Sequence, residues 1–167
     1  MVKARIYTRV LSFFFLSWTV VFFNCSMDEE YVHIAYSPVY FNLEALPYTN
    51  LSEYNFFQGE MKNLTPVYGV LPYELINPLF TDYSLKDRFV WMPQEENAYY
   101  LGDSEVLNFP TGTILIKNFS YNGVVPSNER KNIETRLMIK KAEGWGFANY
   151  IWNDEQTEAV YNLDGST

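Results

Sequence analysis

Residues 133–140 alternate strictly. Ile133, Thr135, Leu137 and Ile139 take one side, and Glu134, Arg136, Met138 and Lys140 take the other. A period of two is the signature of a strand with one buried face. Residues 112–119 are a β-branched run, and residues 85–91 are a run of large side chains stopped by Pro93. Residues 145–152, rich in aromatics, and residues 156–161 supply two further strand candidates. Clusters of Gly, Pro, Asn and Ser separate these runs. The pattern predicts a mainly β fold, an antiparallel sandwich or partial barrel. A long loop is expected over 120–132, with Asn122-Gly123 as its tight-turn pair.

One short helix interrupts this pattern. Asn50 and Glu53 stand at the spacing of an N-cap and its acidic N3 partner, and Leu51, Tyr54 and Phe57 recur at i, i+3, i+6. The spacing predicts a two-turn helix over 51–57, closing at Gly59. Residues 25–49 contain Pro38 and Pro47 and no clear period, so they read as a linker with one short extended piece at 39–41. At the other end, Asn162-Leu163-Asp164-Gly165 reads as the turn after the strand at 156–161. A hairpin turn implies a return strand. The β-rich domain, residues 50–167, is therefore expected to be incomplete at its C-terminus, with an unpaired last edge.

The first 24 residues read as a signal peptide. Lys3, Arg5 and Arg9 form a positive n-region, followed by a 14-residue apolar stretch at 10–23. That length suits a secretory h-region and is short of the roughly 20 residues of a spanning helix. The alternative is an uncleaved N-terminal anchor. The single cysteine, Cys25, follows directly. This arrangement resembles a bacterial lipoprotein signal, although Asn24 stands where the usual pattern has a small residue. The resemblance makes Cys25 the lipid-attachment site and residues 25–49 a lipid-anchored linker; an unmodified thiol is the alternative. The acidic run Asp28-Glu29-Glu30 resembles an export signal of some Gram-negative lipoproteins, or is simply solvated. The expected location is the outer membrane, surface or periplasmic face, with the membrane as a partner through the anchor.

Charge narrows the functions. The chain has 20 acidic and 12 basic residues, for a net charge of −8. After Cys25 the balance is 9 − 20 = −11. That argues against nucleic acid as a partner. One His and one Cys are too few for a Cys/His zinc site or a CxxCH haem attachment, so no metal or haem cofactor is expected in this chain. His33, on the expected linker, reads as a surface histidine. No Ser or Cys nucleophile has a nearby base, and no enzyme activity is expected.

Three groups of side chains merit attention. Asp82, Asp87, Asp154, Glu155 and Glu158 are carboxylates near strand ends. A glycosidase needs two such groups about 5–9 Å apart across a cleft, whereas most surface acids only solvate. Trp145, Phe147, Tyr150 and Trp152, with Tyr99 and Tyr100, are either a sugar-stacking platform or core aromatics. Arg88 and Arg136 fall on strands and either pair with acids or bind a carboxylate ligand.

Five segments, 51–57, 71–90, 109–119, 133–137 and 150–159, together resemble a bacterial family of exported proteins whose longer members are labelled di-haem c-type cytochromes. The resemblance covers about residues 50–167. It implies a β-rich, non-haem N-terminal domain, with haem only in the longer members, because their CxxCH motifs have no counterpart here. It also implies a lipid-anchored docking or accessory module for a c-type cytochrome or electron-transfer system, with a haem protein as partner. A surface glycan- or ligand-binding lipoprotein is the competing expectation.

Overall fold

The computed structural model describes residues 36–163. The signal peptide, Cys25, His33 and the Asp164-Gly165 pair lie outside the described residues. Six antiparallel strands form one open sheet: β1 (Val70–Pro72), β2 (Leu85–Trp91), β3 (Ile114–Val124), β4 (Glu129–Lys141), β5 (Gly144–Trp152) and β6 (Ala159–Tyr161). Their order in space is their order in the chain, a meander. The fold is mainly β, as the alternation predicts. β1 had no sequence signal, because it is three residues long and ends in Pro72, a residue of sheet edges.

Two local expectations are corrected. The loop expected at 120–132 is mostly strand: β3 and β4 run through it and turn only over 125–128. Asn122-Gly123 lies inside β3, where the register shifts between Tyr121 and Val124. The two-turn helix at 51–57 is a single 3₁₀ turn, Leu51–Tyr54. Asn55 adopts the left-handed conformation (φ 57°, ψ 40°) and donates its N–H to the Ser52 carbonyl, ending the turn early. Leu51 and Tyr54 are both buried, as the threefold period of a 3₁₀ turn allows. Phe57 instead bridges to Pro66 in extended backbone. Two further short 3₁₀ turns, Leu43–Ala45 and Met61–Asn63, complete the helical content of the described residues.

The stretch at 36–49, expected as linker, is part of the fold. Leu46 and Tyr48 are buried, and Val39, Phe41 and Leu43 pack against the same core. Together with 50–69 it makes an irregular layer over one face of the sheet. That layer contributes Leu51, Tyr54, Phe56 and Val67, and the sheet answers with Trp91, Ile116, Leu137, Tyr150 and Trp152. The strand expected at 156–161 is shorter, Ala159–Tyr161, and its outer edge, expected to be unpaired, is met by this layer: Asn50 bridges Val160, and the Tyr161 N–H donates to the Thr49 carbonyl at 2.8 Å.

A closed chain of hydrogen bonds joins layer to sheet. The Tyr48 N–H donates to Tyr54 Oη (3.3 Å), the Tyr54 and Tyr150 hydroxyls are 2.8 Å apart, and Tyr150 Oη donates to the Tyr48 carbonyl (2.9 Å). Both rings are fully buried. A second buried set, Asn118, Asn132, Thr135 and the Trp152 indole, is likewise satisfied: Asn118 Nδ2 donates to Asn132 Oδ1 at 2.8 Å, Thr135 Oγ1 to Asn118 Oδ1 at 2.7 Å, and Trp152 Nε1 to Thr135 Oγ1 at 3.0 Å.

Tyr150→Phe leaves the Tyr48 carbonyl and Tyr54 hydroxyl short of a partner. It is expected to cost about 1–3 kcal/mol, read as a lower urea midpoint with unchanged slope. Burial also holds the Tyr54 and Tyr150 phenols above the ordinary tyrosine range. Above about pH 10 the unfolded chain loses phenolic protons that the folded chain keeps. Stability is therefore expected to be complete below that pH and to fall as pH rises through it. Tyr150→Phe should flatten that fall, and an identical alkaline slope in both proteins would contradict the assignment.

Candidate functional site

The sheet has a second face, which the irregular layer does not cover. Strand alternation places Arg88 of β2, Lys117 of β3, Arg136 of β4 and Asn149 of β5 there, and the register makes each the direct neighbour of the next. Tyr73, whose N–H donates to the Arg88 carbonyl, and Asn162, whose N–H donates to the Asn149 carbonyl, extend the line at both ends. One transverse row thus crosses the whole sheet. Neighbouring members are about 4.8 Å apart, the spacing of adjacent strands.

Two further rows flank it. On one side Leu71, Val90, Leu115, Met138 and Phe147 are successive cross-strand partners, an apolar stripe. On the other side lie Lys86, Phe119, Glu134, Ile151 and Val160. A cavity of about 530 Å³ sits over the central row, with Tyr73, Arg88, Lys117, Arg136, Met138 and Phe147 among its lining. That volume is in the range of small-molecule sites.

The electrostatics of this row are unbalanced. Lys86, Arg88, Lys117, Arg136 and Lys140 share the face, five of the nine basic residues after Cys25. Arg88 is only 6% exposed, and its ion-pair partner is Glu74, 3.6 Å away and 82% exposed. A buried guanidinium needs close pairing to offset lost hydration, and one loose, solvated carboxylate gives little. Arg136 pairs with Glu134, a buried carboxylate. Lys117 sits over the Phe119 ring at 4.7 Å, beside Arg136 at 4.9 Å. Partial burial, then the charges of Arg88, Lys86 and Arg136, hold the Lys117 amine below the ordinary lysine range. Burial raises the Tyr73 phenol, with Arg88 opposing. Asn149 Oδ1 is buried and meets no hydrogen-bond donor among the described residues.

The other sequence candidates separate. Tyr150 and Trp152 are core residues, so the six aromatics do not make one platform. Phe147 is 72% exposed on the open face, and Trp145 packs edge-on against Phe109 (6.0 Å). Tyr99 and Tyr100 lie in the loop between β2 and β3, where Tyr99 bridges Asn108 and Tyr100 bonds Asp103. The carboxylates are likewise dispersed: Asp82 and Glu155 are exposed, and the other three have partners of their own. Asp87 pairs with Arg130, Asp154 lies 3.6 Å from Lys131, and Glu158 accepts from the Ser52 hydroxyl. No group of three or more His, Cys, Asp or Glu among the described residues is placed to hold a metal ion. No described helix is long and apolar enough to cross a membrane.

Arg88 and Arg136 were visible in the sequence as strand cations. Lys117, Asn149 and Tyr73 were not, because they join the row only through register. Comparison with protein-family models, curated proteins and solved structures finds no match to this chain.

If Arg88 is held for a ligand and not for the fold, removing its charge should not weaken the fold. Arg88→Met is expected to leave stability unchanged or to raise it by about 1–4 kcal/mol, as replacement of buried charge by apolar volume often does. Chemical denaturation measures this. A loss of about 3 kcal/mol or more would mark Arg88 as a structural cation.

Proposed function

We propose that this domain is a non-catalytic binding module, exported and tethered to the outer membrane through Cys25, that takes a small organic anion on the open face of its sheet. The observation that carries the proposal is the row Arg88, Lys117 and Arg136, three adjacent cations on a chain of net charge −8, with Arg88 buried against a single solvated carboxylate. Charges held together in a half-buried groove raise each other's energy, and a bound anion lowers it. Asn149 and Tyr73 add neutral polar groups at the ends of the row, the mix typical of small-molecule sites. This favours the ligand-binding reading over a docking role beside a c-type cytochrome.

Benzoate at 100 times its dissociation constant should stabilise the full chain by about 2.7 kcal/mol, a rise of several degrees in melting temperature. Choline, a cation of similar size, should give none. Lys117→Met should abolish most of the benzoate effect. A melting temperature indifferent to benzoate at all concentrations would remove the proposal. The tether is tested separately by feeding cells a labelled fatty acid: the wild-type chain should take up label and Cys25→Ala should not.

A further inference from the structure

The stripes on the open face also say what kind of anion fits. Resting on the binding reading above, we infer that the ligand is an amphipathic monocarboxylate, its head on Arg88, Lys117 and Arg136 and its hydrocarbon or aromatic tail on the stripe Leu115, Met138 and Phe147.

Three observations carry this. First, the polar and apolar rows run side by side, displaced by two residues along every strand, so their side chains stand about 7 Å apart. A head and a tail of one small molecule span that distance; a small inorganic anion reaches only the first row. Secondly, the apolar row is continuous over four strands from Val90 to Phe147, three strand steps or about 14 Å, and Phe147 is left 72% exposed at its end. The ring continues the stripe at the rim of the cavity. Thirdly, the head row has positive charge to spare. Arg88, Lys117 and Arg136, with Lys86 close to Lys117, stand against Glu74 and Glu134, which leaves cations for an anionic head. The planar carboxylate also matches the fork of a guanidinium, and Asn149 Oδ1 beside it accepts a hydroxyl or amide donor if the acid carries one near its head.

Glu74 has a part in the same geometry. It lies between Tyr73 and Leu75, both lining the cavity, and its carboxylate is the one now beside Arg88. It stands where the ligand's own carboxylate would bind. Entry of the acid releases Glu74 to water, at small cost for a side chain already 82% exposed.

The test is a calorimetric titration of the full chain in a nonionic detergent, with empty micelles as the blank. The probes are octanoate, acetate and octanol. Octanoate should bind at least about tenfold more tightly than either of the others. Phe147→Ser, at an exposed position, should weaken octanoate several-fold and leave acetate unchanged. The double variant Lys117→Met, Arg136→Gln should reduce octanoate to the level of octanol. Glu74→Gln should strengthen octanoate. Thermal melts of each variant establish that it is folded. If octanol binds as well as octanoate, the cation row is not the head site and the inference falls. If acetate binds as well as octanoate, the apolar stripe is not the tail site. The inference then falls while the binding proposal stands. If no carboxylate binds at all, both fall.

Discussion

Everything on the open face depends on how the other face is closed. The sheet is a meander of six strands, and a single sheet must bury one side to be stable. Among the described residues no helix and no second sheet does so. The cover is an irregular run of chain with three short 3₁₀ turns, whose backbone groups must be satisfied one by one. The Tyr48–Tyr54–Tyr150 ring of hydrogen bonds does this at the centre of the contact, where two phenols reach across the aromatic core to each other and back to the main chain. Because the hydroxyls bond in a fixed direction, they set the position of the layer on the sheet, which apolar contact alone would leave free to slide.

With one face closed, the alternation of the strands sends every other side chain to the opposite side. Core positions carry Ile114, Ile116, Leu137 and Ile139, and the intervening positions carry Leu115, Lys117, Arg136 and Met138. The rigidity of the buried face is thus lent to the open one. Cations on flexible loops would spread apart to relieve their repulsion. Held at strand spacing on a packed sheet, Arg88, Lys117 and Arg136 cannot, and the row is fixed before anything binds to it.

Much of this was legible in the chain. The twofold period of 133–140 gave β4 and its two faces directly, and the aromatic run at 145–152 gave β5. The sugar platform failed on the same rule, since residues of opposite parity, such as Phe147 and Tyr150, cannot share a face. The helix at 51–57 failed because Asn55 takes the left-handed conformation, which a pattern of apolar residues does not announce. The linker at 36–49 hid its role for a related reason: irregular chain has no period, so its burial is invisible until the surface it covers is known. The cation row is harder still. Its members are separated by 29, 19 and 13 residues along the chain, from Arg88 to Lys117, Arg136 and Asn149. Only the pairing of four strands, including register shifts near Ser120, brings them into line.

The bond between Thr49 and Tyr161 and the bridge between Asn50 and Val160 join places more than a hundred residues apart in the chain. The meander, by contrast, is made of neighbours. Folding of this chain is therefore divided in time. The hairpins form from local contacts as each strand becomes available, which is fast, whereas the covering layer must close a loop of nearly the whole domain. During vectorial synthesis the N-terminal layer emerges first, yet its seat on β5 and β6 does not exist until the last strand has followed. The first part of the domain to appear is the last to settle, and its Tyr48, Tyr54 and Phe56 side chains wait meanwhile without their cover.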